Sequence, residues 1–308
     1  MSETAESDAH GQTRNLLVGS AIALLTVSIW GGWIVGTRYA VKTPLQPQDI
    51  ALLRFSVPAL LLAPYWIRMR VVPAGVSFGT IALITAGAGL PFYLAIAFGL
   101  QMAPASHGGM LLPGTMPLFV ALIGLFLLGD RFGWRRGTGF VLIAIGGAGI
   151  GGWTIISDGI EGAWRGHLLF LAGAFLWAVY THAFRASGLR AQEAVGILSV
   201  WSLLLLGLVY MIIGDTGLFR ASWVDIGTQL LLQGFVSGLI ALTTYGLAVE
   251  RLGASGAAAF AALVPVIVTL LGIPVLGEVP DLPTVLAAAC VCTGVFLASG
   301  VVSPARPR

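Results

Sequence analysis

Apolar stretches of about twenty residues recur along the whole chain, separated by short polar punctuation, and that rhythm predicts helices that cross a membrane. The expected spans are 16–37, 49–66, 77–100, 106–128, 138–156, 166–187, 194–213, 226–249, 254–276 and 283–302. A membrane barrel would need segments of about ten residues with alternating hydrophobicity. These runs are instead continuous and rich in leucine, alanine and glycine, so the expected fold is all-α and integral to the membrane, with ten transmembrane helices.

Two of the runs carry the same punctuation. In "LLPGTMPLFVALIGLFLLGD" (111–130) and "AALVPVIVTLLGIPVLGE" (261–278), a proline is followed by a Leu-Gly-acid stop. At an offset of 147 or 148, Trp30 meets Trp177, Arg38 meets Arg185, Pro117 meets Pro265, Asp130 meets Glu278 and Gly146 meets Gly294. These pairs join spans one and six, four and nine, and five and ten. An offset of five spans reverses each helix in the membrane, which predicts two inverted five-helix repeats. The expected organisation is a polar tail (1–15), a first repeat (16–156), a connector (157–165), a second repeat (166–302) and a short tail (303–308).

Composition agrees with a lipid-embedded chain: 57% of residues are hydrophobic and 9% charged, against about 25% charged in soluble domains, and mean hydropathy is +0.93. With the N-terminus inside, eleven arginines, among them Arg14, Arg68, Arg131, Arg185 and Arg251, fall on the inner side, against Arg38, Lys42, Arg165 and Arg220 outside. Cytoplasmic loops retain positive charge, so both termini are expected in the cytoplasm and the 157–165 connector in the periplasm. The net charge of +3 then reports topology and implies no nucleic-acid partner. The opening "MSETAESDAHGQTRN" lacks the basic start and cleavage pattern of a signal peptide, and reads as a retained tail.

The two five-helix halves, Arg54-Phe55 in the second span, the Pro and Leu-Gly-acid pattern of spans four and nine, and the glycine-patterned spans five and ten together resemble the EamA branch of the drug/metabolite transporter (DMT) superfamily over residues 16–302. Within it the chain is similar to YddG-type exporters of aromatic amino acids and related metabolites. The resemblance implies a ten-helix fold in the bacterial inner membrane, a cavity between the halves and outward movement of small metabolites by alternating access. The second half departs from the first at "VGILSVW" (195–201), where no counterpart of Arg54-Phe55 stands.

Candidate contacts for a substrate follow from helical spacing. Trp30, Trp33 and Thr37 share one face of the first span, and Trp177, Tyr180, Thr181 and Phe184 the matching face of the sixth. Tyr93, His107 and Tyr245 are polar groups at depth. Arg54 either binds a substrate carboxylate or holds its helix to a neighbour, since ionisable side chains in spans usually face a cavity or a partner. His107 either contacts substrate or caps its helix. Pro113, Pro117, Pro265 and Pro274 free backbone carbonyls and are candidate hinges. No carboxylate lies at mid-span, so a facilitator or exchanger is expected, with His107 or Glu250 left as proton carriers. The sequence holds no H-E-x-x-H helix, no paired mid-span carboxylates and no serine placed convincingly beside a histidine, so neither an enzyme nor a cofactor or metal site is expected. The expected partners are a small-molecule substrate and the lipid bilayer, with monomer and homodimer both open.

Overall fold

The computed structural model of the chain describes residues 2–157 and 161–301, and their side chains apart from those of 2–14, 242, 254 and 255. The tail at 303–308 and part of the connector at 157–165 lie outside the described residues. Among these residues the regular structure is helical: α1 (Ser2–Ala40), α2 (Pro47–Leu61), α3 (Ala63–Met69), α4 (Phe78–Ala88), α5 (Leu90–Met102), α6 (Ala105–Leu127), α7 (Trp134–Ile156), α8 (Ala163–Ser187), α9 (Ala191–Ile213), α10 (Trp223–Gln229), a π-helix (Leu230–Ile240), α11 (Ala241–Phe260), a 3-10 turn (Ala261–Leu263), α12 (Val264–Leu276) and α13 (Leu282–Ala298).

Eight stretches are long and apolar enough to cross a bilayer, the first of them Asn15–Ala40 within α1. The chain is therefore a multi-pass membrane protein. Two of the ten expected spans differ. The second is bent by 72° between α2 and α3, because Pro64 sits in the first turn of α3 and cannot donate to the preceding turn. The tenth, α13, has 17 residues, about 25 Å of helix. The third expected span runs through α4 and α5 with an interruption at Gly89 (φ −95°, ψ −142°) ahead of Pro91. The amide N–H of Leu90, freed by that break, donates to Ser202 Oγ of α9 at 3.0 Å.

The repeated stops behave alike. Gly129 and Gly277 both adopt left-handed backbone, φ +71° and +69°, as a glycine just past a helix end does. The amide of Asp130 then returns to the carbonyl of Gly124 at 2.9 Å, and that of Glu278 to Gly272 at 3.3 Å. Each stop thus aims its acidic side chain sideways from the end of a helix.

The helices enclose a main core that includes Trp33, Phe55, Phe92, Tyr93, Phe170, Val268 and Val291, with a small second cluster of Ala23, Ala248 and Ala257 between α1 and α11. α1 packs on α11 and α12, α8 on α4, α5 and α6, α2 on α9 and the π-helix, and α7 on α13. The last contact is backbone-close: a Cβ at Gly139 would lie 2.6 Å from the Gly294 carbonyl oxygen, and one at Gly146 2.9 Å from that of Ala287. Outward faces are apolar, as at Ile212, 84% exposed, which suits a surface solvated by lipid tails.

Candidate functional site

Three helices, α1, α2 and α5, meet at Arg54. Its guanidinium carbon lies 5.0 Å from the Trp33 ring centroid (α1), 5.4 Å from Tyr93 (α5) and 5.9 Å from its neighbour Phe55. Arginine stacks on aromatic faces through the ring quadrupole, and here three rings surround one cation. Arg54 Nη1 is buried and has no hydrogen-bond partner within the protein. Trp33 Nε1 and Tyr93 OH are in the same condition. Arg54 Nη1 and the Trp33 N–H are thus desolvated and uncommitted donors.

A polar strand lies on the other side of Thr37. The Thr37 hydroxyl donates to the Trp33 carbonyl at 2.8 Å and accepts from Gln233 Nε2 at 2.9 Å. Gln233 Nε2 also donates to Gln229 Oε1 at 3.1 Å. Because the Thr37 proton is committed to a carbonyl, the Gln233 amide nitrogen must face it, leaving Gln233 Oε1 buried without a donor, as is Ser237 Oγ one turn on. Both belong to the π-helix, a geometry that recurs at functional sites. It packs on α2 so closely that a Cβ at Gly234 would meet the Leu53 carbonyl oxygen at 2.8 Å.

From Trp33 a file of rings crosses to α8: Trp33 stacks on Phe92 (6.1 Å, 18°), Phe92 meets Trp177 (5.5 Å), Trp177 meets Tyr180 (5.1 Å) and Tyr180 stacks on Phe184 (5.6 Å, 12°). The structure therefore joins Trp33, Arg54, Tyr93, Trp177 and Tyr180 in one assembly, with Phe92 as the link the sequence did not reveal. Trp30 and Tyr245 form a separate contact between α1 and α11, centroids 5.4 Å apart.

His107 is elsewhere. Its Nδ1 lies 3.0 Å from Nε2 of His167 on α8, and its Nε2 3.4 Å from Thr284 Oγ1 on α13. One ring N–H of this buried pair donates to the other, and His167 Nδ1 has no partner. Of the prolines, Pro113 and Pro117 lie inside α6 and Pro274 inside α12, while Pro265 falls in the first turn of α12, just after the 3-10 turn. Two apolar surface grooves, one between α7 and α13 and one among α6, α7 and α8, do not reach Arg54.

The ends of the bundle carry the paired charges. In the loop after α12, Glu278 Oε1 accepts from Arg38 Nε at 2.7 Å and Lys42 Nζ at 3.1 Å, and Oε2 accepts from the Ala105 amide at 2.8 Å. Burial pushes the Glu278 carboxyl up, but these three donors outweigh it and hold it below the ordinary carboxylate value.

A bundle of apolar helices around a ring-bound guanidinium whose buried Nη1 has no hydrogen-bond partner defines a membrane protein with a polar site at depth. The sequence profile of the EamA-like transporter family matches the chain twice, over residues 17–152 and 164–300. The chain belongs to that family, whose members carry small solutes across membranes. A solved structure titled "Crystal structure of protein" shares the fold, with a TM-score of 0.61, 18% identity, and coverage of 91% of this chain and 95% of that one. No curated protein matches it by sequence.

Proposed function

We propose that the protein exports small metabolites bearing a carboxylate, foremost amino acids with aromatic or bulky apolar side chains, as YddG-type exporters do. In this reading two inverted five-helix repeats in the bacterial inner membrane, termini in the cytoplasm, alternate access to a central site by facilitation or exchange. The observation that carries it is Arg54: a guanidinium among three rings, with Nη1 unpartnered and no carboxylate paired with it among the described residues. Such a group supplies charge and planar donors for a carboxylate, while the file from Trp33 to Phe184 offers faces on which a flat apolar side chain stacks. Counterflow of labelled phenylalanine into liposomes tests it: competition by aromatic and branched amino acids supports the reading, and none from any amino acid refutes it.

A second reading is efflux of a broader set of amphipathic drugs or metabolites through the same cavity, driven by protons. The buried His107–His167 pair, whose facing ring nitrogens share one proton across 3.0 Å, is the feature that favours it. Uphill movement under an imposed pH gradient would decide for it and against facilitation.

Pro117 has no N–H for the carbonyl of Pro113, and the two lie in the middle of α6, so this helix is free to bend there. Pro117→Ala restores the hydrogen bond. It is expected to slow exchange several-fold with little change in the concentration that half-saturates binding; equal exchange rates in variant and wild type would remove Pro117 as a hinge.

A further inference from the structure

The two Leu-Gly-acid stops share a backbone motif and differ in what their acids hold. Glu278 ties the end of α1, through Arg38 and Lys42, to the amide that opens α6. Arg38 Nη1 also donates to the carbonyls of Leu100 and Gln101 at the end of α5. One carboxylate and one guanidinium thus fasten α1, α5, α6 and the loop after α12 at this end of the bundle. The residues aligned with them are Asp130 and Arg185. Both are exposed, and neither is paired with the other or with any charged group among the described residues.

The surroundings repeat as well. Ala105-Ser106, where the Ala105 amide bonds Glu278, matches Ala254-Ser255 at an offset of 149, one residue beyond that of the stops. Immediately before the latter, Gly253 stands at φ +76°, ψ 163° inside α11, a backbone break where the first half has its Ala103-Pro104 interruption between α5 and α6. The second end therefore has the acid, the arginine and the broken backbone, without the ion pair.

We propose that Arg38–Glu278 and Arg185–Asp130 are alternating latches, one at each end of the transport path, and that the structure holds the first closed and the second open. The proposal rests on the inverted-repeat, alternating-access reading above. With the termini inside, the closed latch is periplasmic and the open one cytoplasmic, so this is the inward-facing state. When α1 leaves the α5–α6 turn, the site opens outward, and closure of the other end brings Arg185 onto Asp130. A buried or half-buried ion pair in one state and two hydrated charges in the other is a differential contact of the kind that sets a two-state equilibrium. The charged groups facing Glu278 are Arg38 at the end of α1 and Lys42 in the turn after it, and the titratable group on the α6 side is His107. A carboxyl whose value is lowered from 4.5 stays ionised above that value and loses its pairing only as pH falls through the lowered one. The periplasmic latch is accordingly expected to be indifferent to pH between about 6 and 8.

Cross-linking tests the latches without a substrate. In full-length protein carrying Cys290→Ser and Cys292→Ser, Asp130→Cys and Arg185→Cys are joined with a short bismaleimide. Adding Glu278→Gln, which releases the closed latch, should raise the cross-linking rate about fivefold or more. Arg38→Gln should act in the same direction and serves if Glu278→Gln fails to fold. An unchanged rate in both, or no cross-link in either, overturns the proposal. For function, Asp130→Arg and Arg185→Asp should each slow phenylalanine counterflow about tenfold, and the exchanged pair Asp130→Arg/Arg185→Asp should restore it; absence of rescue also counts against the latches. Cross-linking that responds to Glu278→Gln in a protein that moves no amino acid would sink the substrate reading and leave the latches standing.

Discussion

Replacing Arg54 by leucine is expected to slow exchange of amino acids by roughly 100-fold while leaving the folded protein as stable as before, or more so. The two halves of that expectation come from one observation. Arg54 makes no ion pair and no hydrogen bond that fastens α2 to a neighbour; what it has is ring faces at 5.0, 5.4 and 5.9 Å. Such contacts contribute about 0.5–2 kcal/mol each at most, against the several kcal/mol that an uncompensated buried charge costs. Leucine removes the charge, keeps apolar volume against Trp33 and Tyr93, and relieves that cost. A residue kept for structure would behave in the opposite way, losing stability with little effect on transport per folded molecule. Arg54→Lys preserves the charge without the planar fork and should fall between, about tenfold slower than wild type. The measurements are thermal melting of the purified protein and counterflow of labelled phenylalanine in liposomes. A leucine variant that melts earlier yet exchanges at the wild-type rate would return Arg54 to a helix-positioning role.

Much of the architecture was legible because the period and length of apolar runs are imposed by the bilayer itself. The runs around Trp30, Pro117 and Trp177 needed no tertiary information. The bend after Leu61 was less visible: Pro64 announces it, but a run that stays apolar through Tyr65 and Trp66 hides a break inside its hydrophobicity. The site was read in fragments. Trp33 and Trp177 stand on matching faces, and the structure does connect them, yet only through Phe92, an ordinary apolar residue until its ring is seen between the two tryptophans. Gln229 and Gln233 are not among the candidates that helical spacing offers, although an amide pair four residues apart in an apolar span is itself a signal, since buried amides must find partners. His107 showed the reverse failure. Its partner His167 opens a helix 60 residues later, and no spacing rule links positions brought together by packing of α6 on α8. The left-out pieces share a cause: each depends on which faces of separate helices meet, and helix periodicity fixes a face without naming what it faces.

Asp49→Ala is expected to give the largest loss of stability of any single carboxylate substitution argued from this structure, on the order of 4 kcal/mol, with a melting temperature lower by about 10 °C. By position Asp49 is only the first residue of an expected span. In the structure it is fully buried and accepts four hydrogen bonds: Oδ1 from Tyr210 OH and Thr216 Oγ1, both at 2.7 Å, and Oδ2 from the amides of Gln46 at 2.8 Å and Gly217 at 2.7 Å. All four donors are neutral, so the carboxylate is solvated by the protein in place of water, and it joins the start of α2 to the end of α9 and the loop that follows. Gln48 adds a bond from its Nε2 to the Asp215 carbonyl at 3.1 Å. Alanine would take the acceptor from four donors, three of them half-buried and that of Gly217 fully buried. Asparagine is nearly isosteric but presents N–H groups at one end, so it turns two of the four contacts into donor against donor and should lose most of the same stability. Glutamate keeps the charge but overreaches by a methylene where Gly217 already lies against the Pro44 carbonyl. Melting curves of the Ala, Asn and Glu variants would therefore all fall below wild type. If Asn melted with wild type, the four donors would not be reading a carboxylate, and the α2–α9 junction would have to be held by packing alone. Transport per folded molecule should survive in all three, because Asp49 contacts neither Arg54 nor the rings around it, and this separates a residue that holds the scaffold from one that meets the solute.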